Sequence, residues 1–263
     1  MAYPVRYWLG FWNPRARHYK IWVDWHKPTG CSRSVFGQAT GVAPFFVGLP
    51  IDGILGLAFK SIAVDGVTPP FLKAVEDGLV DQPIFTVFLE HVGDQQNVPG
   101  GVYTYGGIDE KNCGPVIAYE PLSATTFWQF KVTGAKSGTF SKQKTWQVIS
   151  DTGTSLIGAP VALAESIASE AGGTFDQQYG VYFVECKAEP SLTLTIGGKD
   201  YEIGAANYVV SSGDGRSCFL AIFGMPGFGV GPSWILGDPF IREFCNIYDV
   251  GNKQIGFAKS KQK

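Results

Sequence analysis

From about residue 34 onward the chain is a succession of short apolar runs, each broken within a few residues by Gly, Pro, Asn or Asp. Ile84–Leu89, Gly101–Tyr105, residues 145–150, Val181–Val184 and Leu192–Ile196 all have strand length, and each alternates or is rich in β-branched residues. Side chains of an extended strand point to opposite faces in turn, so this period of two predicts a mostly β protein. Glycine at 34 of 263 residues and aromatic residues at 14% suit tight turns and half-buried pleated surfaces. Two stretches predict helices. Residues 70–77 open with a proline near the first helical position and can end at Gly78, and residues 160–171 open alike and stop at Gly172 and Gly173. Residues 93–101 have linker chemistry and are the predicted boundary between two units.

A charged fraction of 17% against 45% hydrophobic residues excludes an intrinsically disordered chain. The net charge of −2 draws it toward neither nucleic acid nor an acidic membrane surface. That balance conceals a break. Residues 1–33 carry Arg6, Arg15, Arg17, Lys20, Lys27 and Arg33 against Asp24 alone, a net +5, whereas the remainder carries a net −7. Trp8, Trp12, Trp22 and Trp25 interleave with those basic residues, as in a nucleic-acid patch. The abrupt change near Ser34 is better read as a foreign segment joined to the rest, without a consistent core of its own, and no nucleic-acid partner is expected.

The five cysteines, Cys31, Cys113, Cys186, Cys218 and Cys245, include no C-x-x-C pair, which argues against a zinc ribbon or a thioredoxin-like site. Spread through a glycine-rich β chain, they suit disulfides in an oxidising compartment. Residues 1–15 contain no uninterrupted apolar stretch and no small-residue cleavage site, so no signal peptide is visible. No run of 18 apolar residues predicts a membrane span. Disulfide chemistry without an export signal predicts that the natural N-terminus lies outside this sequence.

The strongest chemical signal is Val148-Ile149-Ser150-Asp151-Thr152-Gly153-Thr154-Ser155. A buried strand delivers an aspartate into a tight turn, where Gly153 and small hydroxyl residues keep the carboxylate accessible. Asp-Thr-Gly alone is weak, because Asp and Gly mark ordinary turns. Its surroundings are more specific: the helix predicted at residue 160, Trp234-Ile235-Leu236-Gly237-Asp238 with Ile235 lying 84 residues beyond Asp151, and a closing stretch at 249–258. Ile-Leu-Gly also occurs within residues 52–57. A strand diving through a core beside another backbone needs this pattern, since only glycine lacks the Cβ that would collide. Other chemistries fail. Ser155 sits one residue off a nucleophile elbow, and His91 is the single histidine beyond residue 33. His18, His26 and His91 lack metal spacing, and residues 227–231 precede a strand and not a helix, so neither metal nor dinucleotide cofactor is expected.

These segments, in this order, resemble the pepsin-like aspartic peptidases. Residues 151–160 are similar to their second active-site segment, 234–258 to their C-terminal signature and 52–59 to the corresponding first-lobe loop. The likeness covers roughly residues 34–260, and the cysteines beside Gly114 and Asn246 look most like nematode members. It implies a bilobal acid-protease fold with a peptide cleft: a complete C-terminal lobe over 98–263, a partial N-terminal lobe over 34–97, and residues 1–33 outside both. Each lobe of the family contributes one Asp-Thr-Gly aspartate, and two such close carboxylates share one proton. The resemblance makes Asp151 the second aspartate, with Ser155 beside it in a supporting role. It gives Thr152 a bond across to the other lobe, Gly153 close substrate approach and Thr154 a contact with the peptide backbone. It also pairs Cys186 with Cys218 and Cys113 with Cys245, leaving Cys31 over. A peptide or protein substrate, acidic pH, a monomer and an extracellular or lysosomal location follow from it.

A second Asp-Thr-Gly or Asp-Ser-Gly is absent from the sequence. Asp52-Gly53 and Asp65-Gly66 lack the intervening threonine, and Tyr105-Gly106 matches the opening of the second lobe, not a flap. Counting 84 residues back from Ile54 falls about 30 positions before Met1, so the first aspartate is expected there, and the flap is missing from the first lobe as well. Three readings stay open: an incomplete record of an acid endopeptidase, a catalytically inactive fragment or peptide-binding pseudo-enzyme, and a pair of chains each lending Asp151.

Overall fold

The computed structural model describes residues 18–24, 31–37, 53–93, 95, 98–213, 217–226 and 231–262. β1 (His18–Asp24) pairs antiparallel with β2 (Cys31–Gly37), from His18 opposite Gly37 to Asp24 opposite Cys31. Trp22 and Cys31 therefore lie on strands, whereas Trp8, Trp12, Trp25, His26 and Asp52 fall outside the described residues. Helix α1 (Pro70–Glu76) leads into β3 (Ile84–Leu89), β4 (Gly101–Tyr105), β5 (Cys113–Pro121) and β6 (Ala124–Thr125). A long hairpin follows, β7 (Trp128–Ser137) and β8 (Phe140–Ser150), then β9 (Ile157–Pro160) and α2 (Val161–Glu170). β10 (Thr174–Asp176), β11 (Val181–Val184), β12 (Leu192–Ile196), β13 (Lys199–Ile203), α3 (Ala205–Tyr208), β14 (Val209–Ser211), β15 (Cys218–Leu220) and β16 (Ile222–Met225) continue the chain. It closes with β17 (Trp234–Leu236), α4 (Asp238–Glu243), β18 (Phe244–Asp249) and β19 (Gln254–Ser260).

Both predicted helices form, and both end where glycine permits. At α1 the Leu79 N–H reaches the Ala74 carbonyl (2.9 Å) around Gly78, whose φ is +65°. At α2 the Gly173 N–H reaches the Ala168 carbonyl (2.8 Å) around Gly172, with φ +70°. Only glycine adopts this left-handed turn without strain, and it satisfies carbonyls that the helix leaves open. Pro160 ends β9 and caps α2 instead of opening the helix itself, because its extended ψ of 135° belongs to the strand.

Two sheets set the site. The first has the order β4-β3-β18-β19-β5 and is antiparallel throughout. The stretch 93–101, predicted as a boundary, joins β3 to its neighbour β4 in this sheet. The second runs β13-β12-β7-β8-β17-β9-β16, with β6 beside β7. An aromatic cluster packs between them. Phe85 stacks on Tyr248 with ring centroids 4.4 Å apart, and Trp128 meets both edge-on at 5.6 and 4.9 Å. The Trp128 indole N–H donates to the Leu57 carbonyl (2.9 Å), which ties the 53–67 stretch to the same core.

The two copies of Ile-Leu-Gly behave differently. At the second, β17 inserts between β8, to which it is parallel, and β9, to which it is antiparallel. A Cβ on Gly237 would stand 2.0 Å from the Thr154 carbonyl oxygen and 2.3 Å from that of Leu156. At the first copy the expected close approach is not found. Among the described residues nothing lies within 4 Å of a Cβ on Gly56, and Ile54 and Leu55 are exposed. The tripeptide is the same, but no described backbone crosses it.

Cys113 is bonded to Cys245, tying β5 to β18, and Cys186 to Cys218, which closes a loop with a sequence separation of 32. In the chain-entropy account, removing the latter by Cys186→Ser with Cys218→Ser lowers the unfolding free energy by about 3–4 kcal/mol, measurable by urea titration. Gly237→Ala is expected to cost on the order of 3 kcal/mol or more, since backbone must move. Gly56→Ala should stay within about 0.5 kcal/mol in the same titration. Equal effects of the two alanines would refute the crossing at Gly237.

Candidate active site

β8 begins in solvent and becomes buried from Trp146, so that its end carries Ser150 into the core and Asp151 into the turn that follows. The turn is fixed from below by β17 and the start of α4. The Asp151 N–H donates to the Leu236 carbonyl (3.0 Å), and the Asp238 N–H donates to the Thr154 carbonyl (2.9 Å). Gly237 lies between these two bonds, and its missing Cβ is what lets them form.

Three of the five residues singled out from the motif, Asp151, Gly153 and Thr154, bond to one another directly. The Gly153 N–H donates to Asp151 Oδ1 (2.8 Å), and the Thr154 hydroxyl donates to Oδ2 (2.6 Å). Both carboxylate oxygens are therefore oriented from within the turn. A Cβ on Gly153 would press on Oδ1 at 3.0 Å, so glycine keeps that side open. Thr152 faces the Tyr103 side chain of β4, near enough to act on its phenol. Ser155 is exposed at the edge of the turn. The four cysteines lie in their two disulfides and not in this turn.

The motif left several neighbours unnamed. Tyr103 is one: burial pushes its phenol up to about 12, with the nearby Asp238 and Asp151 carboxylates acting in the same direction and Thr152 opposing them. Asp238 opens α4, buried to 7% exposure, with Arg242 beside it at 3.3 Å. Ser150, Asn246 and Tyr248 form a buried polar group beneath the turn. Ser150 carried a faint signal, as a hydroxyl interrupting the apolar run before Asp151. Tyr103 and Asn246 sit in strands whose register no local pattern reveals.

Among the described residues no three His, Cys, Asp or Glu side chains gather where they could hold a metal ion. His91 is exposed, and its backbone N–H donates to Gln262. No helix among the described residues is long and apolar enough to cross a membrane.

The sequence model of eukaryotic aspartyl proteases matches residues 31–260. The chain is 52% identical over 231 residues to aspartic protease 6 of Caenorhabditis elegans, covering 88% of this chain and 59% of that protein. It is 47% identical over 226 residues to aspartic protease 2 of Necator americanus, covering 86% and 53%. Similarity reaches fungi, with 37% identity over 220 residues to a probable vacuolar protease A of Trichophyton verrucosum, covering 80% and 52%. The chain thus spans a little over half the length of these relatives. The mostly β architecture, the Asp151 turn and a match over nearly the whole chain agree, and the protein belongs to the eukaryotic aspartyl protease family.

Proposed function

We propose that Asp151 is one of the two carboxylates of an acid endopeptidase, and that these 263 residues do not supply the other carboxylate or the flap. The observation that carries this reading is the Asp151 carboxylate itself, held at both oxygens by Gly153 and Thr154 in a turn open beside Ser155. In such a pair one ionised carboxylate takes a proton from water as the water oxygen bonds to the scissile carbonyl carbon. The other, protonated, gives its proton to the carbonyl oxygen. The tetrahedral adduct then expels the amine, which leaves carrying a proton from the pair. Thr154 has spent its one hydroxyl proton on Asp151, so toward a peptide backbone it acts as an acceptor. Gly153 leaves room for close approach of the substrate, and Ser155 supports the rim of the turn. Thr152, through Tyr103, keeps the turn joined to β4 until a second lobe is present.

The substrate is a peptide or protein, and the chain acts as a monomer once both lobes are joined. An acidic, oxidising compartment, extracellular or lysosomal, suits both the shared proton and the two disulfides. A lone Asp151 can serve as a base but has no positioned acid beside the scissile carbonyl, so the chain by itself is inactive. The alternative, a fragment or pseudo-enzyme that binds peptides without cleaving them, predicts no activity even when a first lobe is added.

Cleavage of a fluorogenic peptide between pH 3 and 5 separates these readings. The 263-residue chain is expected to release no fluorescence. Joining it to a first-lobe segment with Asp-Thr-Gly and a flap tyrosine should restore cleavage sensitive to a statine-type inhibitor. Asp151→Asn should then reduce the rate by roughly a thousandfold or more, as when one member of a catalytic unit is lost. Acid cleavage by the unmodified chain that disappears in Asp151→Asn would overturn the proposal in favour of paired chains.

A further inference from the structure

Beneath the Asp151 turn lie three polar side chains that the acid–base chemistry does not use. Ser150 is 7% exposed, Tyr248 2% and Asn246 0%. Ser150 Oγ stands 2.8 Å from Asn246 Oδ1 and 2.8 Å from the Tyr248 hydroxyl. Proton counting fixes the direction of each bond. Asn246 Nδ2 donates to the Phe244 carbonyl (2.8 Å), which leaves the amide oxygen facing Ser150. A carbonyl oxygen only accepts, so the one Ser150 proton goes to Asn246, and Tyr248 must donate to Ser150. Burial drives the Tyr248 phenol far above its ordinary range, so it keeps that proton at any working pH.

We infer that Ser150, Asn246 and Tyr248 form a clamp that positions Asp151, a role that rests on reading Asp151 as a catalytic carboxylate. Successive residues of a strand point to opposite sides. Ser150 reaches down to β18, and Asp151 follows it on the other side of the chain, where Gly153 and Thr154 hold its carboxylate. The clamp joins the end of β8 in one sheet to β18 in the other, between residues 96 and 98 positions apart in sequence. Its anchor is stiff, because the Tyr248 ring is stacked on Phe85 and abutted by Trp128. Valine and phenylalanine of matching shape could fill this space at little or no loss of stability, since a buried hydrogen bond replaced on both sides is nearly neutral. What apolar packing lacks is direction. A polar set in which both hydroxyl protons have a fixed acceptor holds the strand end at one angle, and a carboxylate displaced by about 1 Å can lose a hundredfold in rate.

Amide hydrogen exchange by NMR on the full chain reads this directly. Tyr248→Phe keeps the ring and removes the donor. It is expected to speed exchange at the Asp151 and Gly153 amides by roughly tenfold, the scale of one lost buried hydrogen bond. The Leu194 amide on β12 should keep its wild-type rate. Ser150→Ala should have the same local effect and carries the test if the tyrosine variant fails to fold. Ser150→Thr, which retains the hydroxyl, should restore protection. Unchanged exchange at Asp151 and Gly153 in both variants, or equal acceleration at Leu194, would overturn the clamp. No substrate is involved, so this result is independent of whether Asp151→Asn abolishes cleavage.

Discussion

The geometry of the Asp151 turn depends on one backbone passing another without side-chain bulk between them. Gly237 lies against the carbonyls of Thr154 and Leu156, closer than any Cβ could. That contact lets Asp151 bond to Leu236 on one side and Thr154 bond to Asp238 on the other. A turn held only by its own side chains would sample many carboxylate orientations. Held by β17 on one side and the start of α4 on the other, it presents one. The cost of ordering is met mainly by apolar burial around it, with Trp234 and Leu236 both fully buried on β17.

The aromatic floor supplies rigidity by a different means. Phe85, Trp128 and Tyr248 come from three distant stretches, and their ring contacts fuse the two sheets under the turn. Offset and edge-on contacts of this kind add about 0.5–1.5 kcal/mol each beyond simple burial. Phe71 on α1 packs against Phe85 with centroids 5.0 Å apart, so the helix before β3 belongs to the same core. Function and packing therefore share residues: Tyr248 is at once a ring in the floor and a donor to Ser150.

Much of this was legible in the residues themselves. Strand length with alternation or β-branched residues picked out Ile84–Leu89, Val181–Val184 and Leu192–Ile196, because both are local properties of a run. Gly78 and Gly172 marked helix ends because a left-handed turn excludes most other residues. Asp151 and its two intramotif partners were legible because they lie within four residues. The Tyr103–Thr152 contact was not, since it depends on how β4 is placed beside β3. Ile-Leu-Gly at Gly56 states a capacity for close approach, and no second backbone arrives there among the described residues. Ser150 showed only that something polar was buried. Its partners, nearly a hundred residues away, emerge from the register of β18.

The central claim is that this turn presents Asp151 as half of a catalytic pair. It is tested most directly by a crystal structure of the chain, joined to a first-lobe segment bearing its own Asp-Thr-Gly, with a statine-type peptide bound. The account requires the statine hydroxyl within about 2.6–3.2 Å of the Asp151 carboxylate, with the Gly153 and Thr154 bonds to that carboxylate intact. A peptide bound elsewhere, or an Asp151 carboxylate turned away from both the hydroxyl and Thr154, would contradict it.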